Sequence, residues 1–292
     1  MTAPNHPATE FAAEGFVASR GDLQIRWRRF EPSDPKATLL IVPGLAEHGN
    51  RYGYAIDHFV PRGFTCWAVD LRGHGESEGR RVHVERFDDY LADVAAVHRL
   101  ALEQAGDGPA PLFILGHSMG GLVTLRYLLG ADQAPGPIVG GIVSSPLLAS
   151  HPSADPPWIL DRIAQVLSKL TPGILFPSDL DTSAISRDPA IVEAYEADPL
   201  VGNKVSARWY TELRTAMADT RARAAQLTVP TLLMQSGADR LVDPAATRRF
   251  AADAPGELVE EVVWPGFYHE MLNEPERGQV LERVEGWLDA RV

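Results

Sequence analysis

Apolar runs of four to seven residues recur along this 292-residue chain, separated by longer segments whose apolar positions fall at helical spacing. Thr38 to Val42, Phe64 to Val69, Leu112 to Leu115, Ile138 to Ser144, Thr231 to Gln235 and Leu258 to Trp264 each read as a buried strand bounded by turn residues. Between them, a Tyr-, Ile- and Phe-rich stretch ending near Gly63, the Asp88 to Gln104 segment, the run after Ser118, and Pro244 to Ala252 read as helices. A break at Gly106 to Pro111 ends the second of these, and a last helix buries Val280, Val284, Trp287 and Leu288. Phe16 to Ser19 and the alternating Leu23, Ile25 and Trp27, joined by Gly21-Asp22, predict an edge hairpin. Alternation of strand and helix implies an α/β fold, a mostly parallel sheet of about eight strands covered by helices on both faces.

The rhythm fails between residues 146 and 225. No strand-like run occurs there, and prolines punctuate short helical segments. Within it Ile159, Ile163, Val166, Leu167 and Leu170 form an apolar stripe. Two readings stay open: a helix packed on the core, or part of a helical cap over a site. The expected organisation is a flexible arm over 1–15, core over 16–145, a cap insertion over 146–225 and the rest of the core over 226–292.

The candidate chemistry begins at Gly116-His117-Ser118-Met119-Gly120, a G-x-S-x-G pattern between strand and helix. Glycines two before and two after the serine let the two elements approach closely around a strained turn that exposes the hydroxyl. A serine hydroxyl needs a base, and the base an orienting acid. Both occur downstream at the ends of strands, Asp239 after Gly237-Ala238 and His269 after Pro265-Gly266-Phe267-Tyr268. Asp243 is the rival acid, although its place before Pro244 suits a helix N-cap. His117 reads as packing and His74 as a turn residue.

These motifs, with Gly44-Leu45-Ala46-Glu47-His48, Arg51-Tyr52, Asp70-Leu71-Arg72-Gly73-His74-Gly75-Glu76-Ser77 and Ser145-Pro146, resemble the α/β-hydrolase superfamily and, within it, the monoacylglycerol lipase and lysophospholipase group. The resemblance runs from about Phe16 onward. It implies a triad of Ser118, Asp239 and His269, and an oxyanion hole from the backbone N–H groups of Leu45 and Met119. Pro43 stands where many members have histidine, which alters the hydrogen bonding of that loop. The resemblance also suggests that Glu47 and Arg51 shape the polar end of a glycerol pocket; the alternative is an ion pair bracing the loop. The implied activity is cleavage of glycerol-like carboxylic esters, with a lysophospholipase, general carboxylesterase, acyltransferase or perhydrolase, and a non-catalytic binder as alternatives.

Composition narrows the partners. With 39 acidic against 27 basic side chains the net charge is -12, and no basic run offers a nucleic acid a footprint. No ligand spacing for a metal and no phosphate or dinucleotide loop is present, so neither metal nor cofactor is expected. Cys66 is alone and sits in an apolar run, and residues 1–15 lack a charged-then-apolar leader. A cytoplasmic enzyme is therefore expected, whose cap touches micelle or membrane surfaces through Ile159 to Leu170. Its small lipid ester is the expected substrate, and its oligomeric state is left open.

Overall fold

The computed structural model describes residues 3–105, 111–155, 157–178 and 180–292. The break expected at Gly106 to Pro111 lies outside the described residues except for Pro111 itself. In chain order the core comprises β1 (Ala13–Ala18), β2 (Gln24–Phe30), β3 (Ala37–Val42), α1 (Gly53–Phe59), β4 (Phe64–Val69), α2 (Asp89–Glu103), β5 (Leu112–His117), α3 (Ser118–Leu128) and β6 (Gly140–Ser144). An insertion follows with α4 (Trp158–Leu170), β7 (Leu175–Pro177), α5 (Pro189–Ala197), β8 (Lys204–Ser206) and α6 (Ala207–Ala222). The core then resumes with β9 (Thr231–Ser236), α7 (Pro244–Asp253), β10 (Val259–Trp264) and α8 (Arg277–Asp289).

Eight strands form one sheet in the order β1-β2-β4-β3-β5-β6-β9-β10. Only β1 with β2 and β2 with β4 pair antiparallel; every other neighbour is parallel. The central strands are buried along their whole length and mostly apolar because both faces are covered. Leu40 and Val42 of β3, and Leu112 and Ile114 of β5, join Val94, Val97, Leu122 and Phe250 on one face. Leu39 and Ile41, with Phe113 and Leu115, meet Ile56, Phe59, Val284 and Trp287 on the other. Parallel pairing therefore brings the loops after β3, β5, β9 and β10 to one edge of the sheet. That edge carries the candidate chemistry.

Two expectations need correcting. Among the described residues, the segment before residue 16 is not a loose arm: β1 starts at Ala13, and residues 5–9 dock on the start of α1. Asn5 is buried and donates to the Arg51 carbonyl (3.2 Å), its own carbonyl accepts from Gly53 N–H (2.8 Å), and Asp57 accepts from the Ala8 and Thr9 N–H groups. A side chain at Gly53 would run into the backbone of His6 and Pro7, so glycine permits this approach. The insertion also contains strands, since β7 and β8 pair antiparallel over three residues each. Runs that short leave no periodic signal.

Helix α4 lies on α6 with its polar side. Asp161 accepts from Tyr210 Oη (3.0 Å) and Ser168 shares a 2.7 Å hydrogen bond with Thr211. Its apolar stripe consequently faces outward: Trp158 is 75% exposed, Leu170 74%, and Ile159, Leu160, Ile163 and Val166 about half. Of the stripe defined in the sequence, Leu167 is partly buried and Ile159, Ile163, Val166 and Leu170 are exposed, which disfavours the core-packing reading. No helix among the described residues is long and apolar enough to cross a membrane.

Candidate active site

Ser118 sits where β5 turns into α3, at φ +52°, a conformation that costs a non-glycine residue strain and persists only where its surroundings impose it. The surroundings are visible. A Cβ at Gly116 would strike Thr124 and the Gly120 carbonyl, and one at Gly120 would strike the carbonyl oxygens of Val42 and Pro43. Only glycine at both positions lets β5, α3 and the end of β3 close around the turn.

Asp239 and His269 meet each other, and the His269 ring lies next to that of His117, the residue before the turn. His269 Nδ1 lies 2.8 Å from Asp239 Oδ2, and Asp239 Oδ1 accepts from the Leu241 (2.9 Å) and Val242 (3.0 Å) N–H groups. Burial alone would raise the Asp239 pKa, but the imidazole and those two N–H donors hold it below its ordinary value. Burial likewise disfavours a charged His269, yet Asp239, helped by Glu270 and Glu47, carries that pKa above 6.5. Among the described residues the hydrogen bond given for His269 is to Asp239, and none joins it to Ser118. Asp243 is elsewhere, capping α7 by accepting from Ala245 N–H (2.9 Å).

His117 does more than fill space. Its ring centroid lies 4.7 Å from that of His269 with the two planes tilted by 55°, and its Nδ1 faces the Ser144 carbonyl and hydroxyl. Burial, then the neighbouring His269, hold it well below 6.5, so it supports the second imidazole as a neutral ring. His74 is remote from this cluster; its Nδ1 bonds the Arg72 carbonyl (2.9 Å), and burial pushes its pKa down to about 4.

Glu47 and Arg51 lie in a buried polar network. Glu47 Oε1 accepts from Gly44 N–H (2.5 Å) and Tyr52 Oη (2.9 Å), and Oε2 from Arg51 (3.0 Å). Arg51 reaches on to both oxygens of Glu270 (3.1 and 3.0 Å), which also accepts from Asn273 (2.8 Å). The guanidinium stacks on Tyr195 of α5, 4.5 Å from the ring centroid. Every polar group of Glu47 and Arg51 named here is engaged within the protein, which is the bracing reading. Two carboxylates share one guanidinium, so negative charge remains next to His269. Glu270, Tyr195 and Asn273 were missed by sequence reasoning. Only Glu270, adjacent to His269, gave a local signal.

The loop after β3 runs against the serine turn. A Cβ at Gly44, the residue before Leu45, would lie 3.2 Å from Ser118 Cβ. Met119 is in the first turn of α3, where backbone N–H groups lack helical partners. Ala46, at φ +61°, turns the loop so that its carbonyl accepts from Gly202 N–H of the insertion (3.0 Å).

A family model described as serine aminopeptidase, S33 (Hydrolase_4) matches residues 33–276, well over half of the chain. The chain belongs to this family. This S33-family hydrolase is 37% identical over 279 residues to the monoacylglycerol lipase of Mycolicibacterium smegmatis, covering 94% of this chain and 96% of the relative. It is 33% identical over 259 residues to the phospholipase YtpA of Bacillus subtilis, covering 87% and 96%. The solved monoacylglycerol lipase of Paleococcus ferrophilus superposes with a TM-score of 0.80 at 29% identity, over 92% of this chain and 99% of that one. The α/β-hydrolase fold and the lipase group expected from the sequence are thus borne out.

Proposed function

We propose that this S33-family hydrolase cleaves carboxylic esters of glycerol-like lipids, monoacylglycerols foremost, to fatty acid and glycerol. The observation that supports the reading is the 2.8 Å Asp239–His269 pair, its imidazole 4.7 Å from that of His117, the residue before the strained Ser118 turn, in a chain 37% identical to a monoacylglycerol lipase. In this mechanism Ser118 Oγ attacks the acyl carbon while His269 Nε2 takes its proton, with Asp239 holding the imidazole in the required tautomer. The N–H groups of Leu45 and Met119 meet the developing oxyanion, assisted by the positive end of α3. His269 then protonates the departing glycerol oxygen, and water activated by the same imidazole frees the fatty acid. No step calls for a cofactor.

The exposed face of α4 supports a second part of the proposal. Six large apolar side chains on one helix surface form a patch suited to the edge of a lipid aggregate. Changing Ile159, Ile163 and Val166 together to serine is expected to slow turnover of vesicle-borne monoacylglycerol and leave a dissolved short-chain ester unaffected. Equal slowing on both would refute the contact.

The deciding experiment compares monoacylglycerols, a lysophospholipid, di- and triacylglycerols and short p-nitrophenyl esters, with Ser118→Ala alongside. Preferential loss of monoacylglycerol, abolished by the substitution, is expected. Preference for the lysophospholipid would favour the phospholipase reading that the Bacillus relative suggests. Turnover confined to activated short esters would reduce the proposal to a general esterase.

A further inference from the structure

His6, His48 and Asp198 converge from three separate parts of the chain: the docked N-terminal segment, the loop that carries Glu47, and the turn that ends α5 in the insertion. One ligand atom of each lies within 4.8 Å of the other two. His48 Nε2 is 2.8 Å from Asp198 Oδ2, and His6 Nε2 is 4.0 Å from the same oxygen. The two rings meet edge to face, with centroids 5.9 Å apart. Three such atoms bound to one tetrahedral ion at about 2.0–2.2 Å would stand about 3.3 Å from one another. Side-chain rotations of roughly an ångström, opening the 2.8 Å His48–Asp198 contact and drawing His6 inward, fit the observed triangle to an ion of that size.

We propose that His6, His48 and Asp198 form a binding site for a divalent transition metal of the zinc class. Two imidazoles and one carboxylate suit such an ion better than magnesium or calcium, which take oxygen donors. The site is partly built. His48 is fully buried, while His6 and Asp198 keep some exposure (28% and 10% of their side chains) through which an ion and its water could enter. His6 Nε2 is itself buried and has no hydrogen-bond partner among the described residues, a donor atom that a metal would satisfy. An ion there would staple the N-terminal segment and the insertion to the loop that Glu47 braces. This site stands apart from the ester chemistry and does not depend on it.

The test uses the full-length, untagged chain, stripped with a chelator and titrated calorimetrically with Zn2+ alone at about pH 7.5, where histidine is largely neutral. His6→Ala and Asp198→Asn are run beside it, and esterase activity of the metal-free His6→Ala protein verifies that it is folded, since His6 has no part in the triad. The expected result is one Zn2+ per chain, with affinity falling about tenfold or more in both variants. A zinc-dependent rise in thermal midpoint should appear in the wild type and be lost in His6→Ala. Absence of saturable binding below about 100 µM, or binding that either variant leaves intact, overturns the proposal.

Discussion

Replacing Asp239 by asparagine changes one atom and tests the whole arrangement. Oδ1 accepts two backbone N–H groups and Oδ2 faces His269 Nδ1 at 2.8 Å. An asparagine keeps the two backbone bonds only with its carbonyl oxygen at Oδ1, which turns its NH2 toward His269. The opposite flip would set an N–H against two others. His269 must then accept at Nδ1 and carry its proton on Nε2, the atom that has to receive the proton of Ser118. In serine enzymes this wrong tautomer lowers kcat by about 10⁴-fold. At about 1.36 kcal/mol per decade, that is about 5 kcal/mol of transition-state stabilisation. The assay is kcat/KM on a monoacylglycerol near pH 8 for both proteins, with thermal midpoints as a control for folding. Asp243→Ala is the matched comparison: losing the cap of α7 should cost about 1 kcal/mol of stability and leave turnover unchanged. If Asp239→Asn kept more than about a hundredth of the activity, the tautomer argument would fail. If Asp243→Ala lost as much as Asp239→Asn, the acid has been misassigned.

Four further outcomes are expected. Because the general base must be neutral, kcat/KM should fall on the acid side with a midpoint above pH 6.5, set by His269, whose pKa is raised, while Asp239, whose pKa is lowered, stays ionised there. Glu270→Gln removes a negative charge that favours the imidazolium, so its pH–rate profile should move to lower pH; an unmoved profile would take Glu270 out of the electrostatics. Arg51→Ala strands Glu47 and Glu270 as buried, unpaired carboxylates and should destabilise the protein by about 3–5 kcal/mol in urea unfolding, since removing one partner of a buried ion pair leaves the other uncompensated. Gly120→Ala drives a methyl group into the carbonyls of Val42 and Pro43, and a loss of about 3 kcal/mol or failure to fold should be seen by thermal denaturation.

The sheet was legible because burial on both faces writes itself into local sequence. Runs such as Leu39-Leu40-Ile41-Val42 need no distant information to be recognised as interior strands. The same holds for the glycine-bounded turn at Ser118, whose neighbours Gly116 and Gly120 are dictated by backbone contacts at the turn itself. Asp239 and His269 were readable as residues at strand ends, because parallel strands deliver such ends to one edge. Tertiary structure alone decided the polar pairings. Arg51 and Glu270 are 219 positions apart, and His48 and Asp198 150 apart, on loops without periodicity; a side chain that will accept a hydrogen bond looks the same in sequence whether its partner is water or a buried guanidinium. The docking of residues 5–9 was hidden for the same reason, resting on Asp57 and the backbone at Gly53 rather than on an apolar pattern. The stripe of α4 marks the boundary between the two. Its spacing fixed which residues share a face, but hydrophobic spacing carries no sign of what the face meets, and only the polar contacts of α4 with α6 turned it outward.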